Sequence, residues 1–211
     1  MVQNYTSNGL KVALIGDSGV GKSSILSVLQ GEVFSTCYVQ TKDRTIKSHD
    51  IVLKNGKKQS LQIWDTAGAD DFRTYTAHSI KDVKGVIIVF DVCNEASYMN
   101  VQNWIKTLNT YVENAADSVV IIIAANKIDK ESCGYRKVKP EQVQQLAHQH
   151  NVQCIEVSAK TRERIPELFN LLASALAEKA TEQEEATRPR EDDEVLENGD
   201  DGGFFSNCIL L

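Results

Sequence analysis

The chain has 211 residues, 42% hydrophobic and 25% charged, with a formal net charge of −6. Such a composition suits a soluble globular domain with a tail, or two cramped domains. It excludes a membrane-spanning class, because no run approaches the ~18–20 apolar residues a spanning helix needs, and the acidic balance argues against a nucleic-acid binder, which needs a basic face.

Residues 1–8 lack the basic and apolar regions of a signal peptide. Leu10 to Ile15 is a strand candidate that runs into a glycine-rich loop. Thr45 to Leu53 and Ser60 to Asp65 flank Lys54-Asn55-Gly56-Lys57, a strong hairpin signal. Val86 to Val92 and Val119 to Ala125 are nearly continuous β-branched runs, the pattern of strands buried on both faces. Between them Val101, Trp104, Ile105, Leu108, Tyr111 and Val112 recur with helical period. Val143, Leu146 and Ala147 do the same, and Cys154 to Ser158 makes a sixth strand. Pro166 opens a last helix through Leu168, Phe169, Leu172 and Leu176. Strand–helix alternation predicts a largely parallel α/β sheet with one antiparallel hairpin.

After about Lys179 the periodicity stops. Residues 181–207 carry ten acidic side chains against Arg188 and Arg190, a net of −8, leaving the remainder near +2. This segment is expected to be a disordered acidic tether, because it cannot bury enough apolar surface to offset the entropy of ordering. The five cysteines stand at 37, 93, 133, 154 and 208. None is spaced as CxxC and the histidines do not accompany them, which speaks against zinc and for reduced thiols.

Gly16-Asp-Ser-Gly-Val-Gly21-Lys22-Ser23 matches GxxxxGK[ST] between a strand and a helical stretch. Its glycines let backbone N–H groups turn inward around phosphate oxygens at a helix N-terminus. Lys22 reaches the β- and γ-phosphates in such a loop, and the Ser23 hydroxyl coordinates Mg²⁺. Asn126-Lys127-Ile128-Asp129 follows a buried strand and points to guanine. The Asp129 carboxylate can accept from N1–H and the 2-amino group, a donor pair adenine lacks. Lys127 would lay its stem over the base, and Asn126 would tie loops together. Ser158-Ala159-Lys160 would offer the Ala159 N–H to guanine O6. Asp65-Thr66-Ala67-Gly68 ends a strand, so that Asp65 can hold Mg²⁺ through water and the Gly68 N–H can sense the γ-phosphate.

These four motifs, in the chain order GDSGVGKS, WDTAG, NKID and SAK and with this spacing, resemble the Ras superfamily of small GTPases, and most closely the Rab family. The resemblance covers about residues 8–179. It implies an α/β fold, a P-loop small G domain with a six-stranded, mostly parallel sheet, one antiparallel strand and five flanking helices. It also implies a GTP/GDP switch with Mg²⁺, served by exchange factors, GTPase-activating proteins, a prenyl-chaperone carrier and effectors. By the family pattern, phosphate contacts fall on Ser18, Gly19, Val20, Gly21, Lys22, Ser23 and Ser24. Mg²⁺ falls on Ser23, Thr41 and Asp65, and base contacts on Asn126, Lys127, Asp129, Ser158, Ala159 and Lys160. Phe34 stands where the family stacks an aromatic ring on guanine. A monomer without nucleic-acid partners is expected.

Three departures matter. Ala69 stands where the family has the glutamine that orients the attacking water. Intrinsic hydrolysis is therefore expected to be slow, unless an activating protein supplies a glutamine in trans. In switch I the Mg²⁺ threonine falls on Thr41 by ungapped counting from Ser23, followed by Lys42-Asp43 instead of Ile-Gly, while Thr45-Ile46 imitates the motif as a runner-up. The effector aromatics of Rabs are reduced to Trp64, read either as core packing or as a partner anchor, with Ile46 or Lys47 and Ser79 at the other positions.

Cys208-Ile209-Leu210-Leu211 is a C-a-a-X box whose final Leu favours a geranylgeranyl group on Cys208. One lipid chain without a polybasic neighbour binds membranes reversibly. The expected organisation is a G domain over 8–179, a tail over 180–207 and the prenylation box over 208–211. The protein is expected on the cytoplasmic face of intracellular membranes, with a carrier-bound cytosolic pool.

Overall fold

The computed structural model describes residues 9–37, 40–41, 45–53, 55–65, 82–112 and 118–187, the last four as backbone only, and among these described residues six strands and five α-helices are named. The strands are β1 (Leu10–Ile15), β2 (Thr45–Val52), β3 (Lys58–Asp65), β4 (Val83–Asp91), β5 (Val120–Asn126) and β6 (Gln153–Val157). The helices are α1 (Lys22–Leu29), α2 (Glu95–Met99), α3 (Val101–Tyr111), α4 (Pro140–Gln149) and α5 (Ile165–Thr187), with a 3₁₀ helix at Ile128–Cys133. The sheet order is β2-β3-β1-β4-β5-β6. Only β2 and β3 pair antiparallel; every other neighbouring pair is parallel.

The apolar runs become central strands because their alternate side chains feed two separate cores. In β4, Val86, Ile88 and Phe90 join Trp104 and Leu108 of α3 and Leu146 of α4 on one face. Ile87 and Val89 join Ile25 of α1 and Leu168, Phe169 and Leu172 of α5 on the other. In β1, Ala13 and Ile15 serve the first core, and Val12 and Leu14 the second. At ~1.5–3 kcal/mol per fully buried large aliphatic or aromatic side chain, this two-sided burial holds the layers together.

The Asn55-Gly56 hairpin forms as its sequence predicts. Gly56 N donates to Leu53 O at 2.8 Å, Leu53 N to Lys57 O at 2.8 Å, and Lys57 N to Asn55 Oδ1 at 3.0 Å. β3 and β4 begin earlier than their apolar runs: β3 at Lys58, because ladder pairing to β2 continues past the buried positions, and β4 at Val83, which is itself buried and pairs with Lys11 of β1. α5 runs to Thr187, eight residues beyond the expected domain end at Lys179. A sequence rich in Ala, Glu and Gln propagates a helix once it is nucleated, without needing a buried face. Residues 188–211, with Cys208 among them, lie outside the described residues.

Candidate nucleotide-binding site

The described residues of the nucleotide motifs lie at the carboxyl edge of the parallel sheet, where ligands settle in open α/β folds. The phosphate loop follows β1, Asp65 closes β3, Asp91 closes β4, Asn126 closes β5 and Ser158 follows β6. Strand register aligns these ends, pairing Leu14 with Asp65, Asp91 with Asn126, and Asn126 with Val157.

Two glycines give the loop its course. At Gly16 φ is 138°, and a Cβ would stand 2.1 Å from the Val89 carbonyl oxygen. At Gly21 φ is 104°, and a Cβ would stand 2.3 Å from Asn126 Nδ2. No other residue fits either place. Gly21 is also the N-cap of α1, which has no side-chain cap and no acid in its first turn. The first N–H groups of that helix thus keep their preference for an anion.

Lys22 is buried, 5% exposed, and its Nζ donates to Gly16 O at 2.7 Å and to Asp17 O at 2.8 Å. Burial brings its pKa down to about 8, against the nearby charges of Asp65 and Asp17, which raise it. A buried ammonium held by two neutral carbonyls gains a compensating charge when phosphate enters.

The metal side is built from oxygen. Ser23 Oγ and Thr41 Oγ1 are 2.7 Å apart, whereas Thr45 is exposed at the start of β2, opposite Asp65. Asp65 is 3% exposed, and its Oδ1 is buried without a hydrogen-bond partner among the described residues. Burial raises the Asp65 pKa, while Ser23 and Lys22 oppose that rise. An orphaned carboxylate oxygen beside two hydroxyls is a donor set that fits the hard cation Mg²⁺.

On the base side, Asn126 is a joint between loops. Its Nδ2 donates to Val20 O at 2.8 Å, and its Oδ1 accepts from Ala159 N at 3.1 Å. The Ala159 N–H, expected to face guanine O6, is therefore directed at Asn126. Ser158 Oγ donates to Asp129 Oδ1 at 2.6 Å and accepts from Thr161 N at 3.1 Å, which orients the carboxylate proposed to read the base. Lys127 holds a left-handed φ of 72°, a costly backbone state for a non-glycine residue. That state sends its Nζ to Gly19 O and to Asp91 Oδ2, each at 2.7 Å, so its stem spans from the β5 loop to the phosphate loop.

Phe34 is half-buried against the α1–α5 core. Trp64 is also half-buried, packed against the α3 core with Lys11 Nζ 5.6 Å from a ring centroid. Gly68, Ala69, Ser79, Lys42 and Asp43 lie outside the described residues. Asp17, which motif reading passes over, carries two further hydrogen bonds, from Asn100 and Trp104 of the α3 region.

A family model described as the Ras family matches residues 11–178. The chain belongs to the Ras family. Among curated proteins it is 40% identical to Ras-related protein SEC4 of Saccharomyces cerevisiae, over 81% of this chain and 76% of that protein. It is 39% identical to Ras-related protein Rab-13 of Bos taurus, over 77% of each chain. To Ras-related protein RABE1e of Arabidopsis thaliana it is 35% identical, over 86% of this chain and 81% of that one. It is a Rab-like small GTPase, of a family that binds GTP or GDP with Mg²⁺. No helix among the described residues is long and apolar enough to cross a membrane.

Proposed function

We propose that the chain is a Rab-like GTP/GDP switch in vesicle traffic, anchored reversibly to the cytoplasmic face of intracellular membranes through a geranylgeranyl group on Cys208. The observation that carries this reading is the Asn126 joint, which draws the phosphate loop, the Asp129 loop and the Ser158–Lys160 loop to one place. In the nucleotide complex Ser18 to Ser24 hold the phosphates, Asp129 reads the guanine edge, and Lys127 and Phe34 flank the base. Ser23, Thr41 and Asp65 are the metal positions, with Thr41 favoured over Thr45 by its contact with Ser23. Mg²⁺ bound there neutralises charge on the β- and γ-phosphates. Exchange factors, activating proteins, a prenyl-chaperone carrier and effectors are the partners such a switch needs, and effector identity follows from its own surface, not from a Rab with the usual aromatics.

Ala69 makes intrinsic hydrolysis slow, because its methyl group cannot position water. It also favours a second reading, in which the protein stays GTP-loaded as a constitutive membrane-anchored interaction module. Single-turnover GTP hydrolysis separates the two. The switch reading expects the wild-type chain to be slower than Ala69→Gln, and to be accelerated by an activating protein that brings its own glutamine. Equal rates for the two chains contradict the Ala69 argument, and a failure of every activator favours the constitutive module.

A further inference from the structure

Asp17 is the second residue of the phosphate loop, and both of its ends are held. Its backbone carbonyl accepts from Lys22 Nζ at 2.8 Å. Its carboxylate accepts from Trp104 Nε1 at 2.9 Å through Oδ1 and from Asn100 Nδ2 at 2.9 Å through Oδ2. The two donors are four residues apart, the N-cap of α3 and a residue of its first turn, and so lie on one helix face. Asn103 Nδ2 donates to Asn100 Oδ1 at 3.1 Å, which turns the Asn100 amide so that its NH₂ faces Asp17. The Trp104 ring is 8% exposed and packed into the core that also holds Ile15 and Phe90. It cannot shift without disturbing that core. A carboxylate placed before the first turn of α3 also meets the positive end of the helix dipole.

The residue whose carbonyl takes one of the Lys22 hydrogen bonds is thus fastened through its own side chain to a helix 83 to 87 residues away in sequence. Phosphate departure requires the loop N–H groups and Lys22 to give up their anion together. A loop that cannot drift holds those donors in place between thermal fluctuations. Resting on the nucleotide-binding reading above, we infer that Asp17 is a positioning residue whose carboxylate, clamped by Asn100 and Trp104, fixes the phosphate loop to α3 and slows nucleotide release.

The test uses the full-length chain loaded with a fluorescent N-methylanthraniloyl GDP and Mg²⁺, chased with excess unlabelled GDP. Charge-assisted hydrogen bonds are the stronger class, so Asp17→Ala is expected to speed dissociation about tenfold or more, and Trp104→Phe, which keeps an aromatic ring but loses the donor, about fivefold. The double variant is expected to match Asp17→Ala alone, because both changes break one interaction. Asp17→Asn, which keeps an acceptor for Trp104, is expected between wild type and Asp17→Ala. Ile105→Val, a buried α3 change that spares the clamp, is expected to lower the melting temperature while leaving dissociation within about twofold of wild type. Wild-type kinetics in Trp104→Phe overturn the clamp. So does equal acceleration by Ile105→Val, or a double variant whose acceleration is the product of the singles. A wild-type chain that captures no guanine nucleotide overturns the reading beneath the clamp and the clamp with it, and the wild-type arm alone shows it.

Discussion

Truncating Asn126 to alanine removes the joint that draws the three loops of the proposed nucleotide site together. The side chain is 1% exposed, and its two bonds run to the Val20 carbonyl at 2.8 Å and from the Ala159 N–H at 3.1 Å. Alanine leaves both backbone groups without the partner they have now, in surroundings where water enters poorly. Each such loss costs about 1–3 kcal/mol, so the pair costs about 2–6 kcal/mol. The lower bound already corresponds to about a 30-fold change in an equilibrium constant. The bonds hold the phosphate loop against the two base-side loops, so the loss is expected in nucleotide affinity as well as in folding. Equilibrium titration with fluorescent GDP should show Kd raised at least about 30-fold, alongside a lower melting temperature. A Kd within about twofold of wild type, with only the melting temperature reduced, would refute the argument, since Asn126 would then serve the fold and not the site.

Other consequences follow from single contacts. At Gly85 an added Cβ would stand 3.1 Å from Leu172 Cδ1, a fully buried atom of α5. Gly85→Ala should therefore lower stability by about 1–3 kcal/mol in urea unfolding while GDP affinity holds, because the clash lies on the α5 face of β4. His49 on β2 is half-buried, near the ring of Phe169, and burial holds its pKa below the ordinary value, with Asp50 opposing. The folded state thus binds the His49 proton more weakly than the unfolded chain does. Its contribution is fully present above the unfolded value of about 6.5 and is lost as pH falls through the folded value. Melting temperatures at about pH 7.5 and 5.5 should diverge more in wild type than in His49→Gln, and identical pH dependence would contradict the assignment. Cys208→Ser should leave the protein in the cytosolic fraction; persistence on membranes would count against the lipid anchor.

Much of the architecture was written in local patterns. The Asn55-Gly56 turn, the alternation of Val86 to Phe90 between two cores, and the placement of Lys22 behind a tight glycine loop each depend on neighbours in sequence. Local pattern also located the loops that carry Asn126, Asp129 and Ser158. What it did not reveal are partnerships across the chain. Asp17 looks like an ordinary loop acid until α3 brings Asn100 and Trp104 against it. The direction of the Ala159 N–H toward Asn126 depends on how β5 and β6 end side by side, a matter of register and not of motif. The extension of α5 to Thr187 was missed because hydrophobic periodicity detects a buried face, and a helix end can propagate without one. The one signal available there was helix propensity, which the acidic charge of the segment obscured.

The central claim, a guanine-specific switch site assembled by Asn126, Asp129 and the phosphate loop, is tested most directly by nucleotide competition on the purified full-length chain. Fluorescent GDP bound to the protein should be displaced by GTP and GDP but not by ATP at the same concentration. In Asp129→Ala the preference for guanine over adenine should collapse by about 100-fold or more, because the acceptor for the guanine donor pair is gone. Displacement by ATP as readily as by GTP in the wild-type chain would contradict the account.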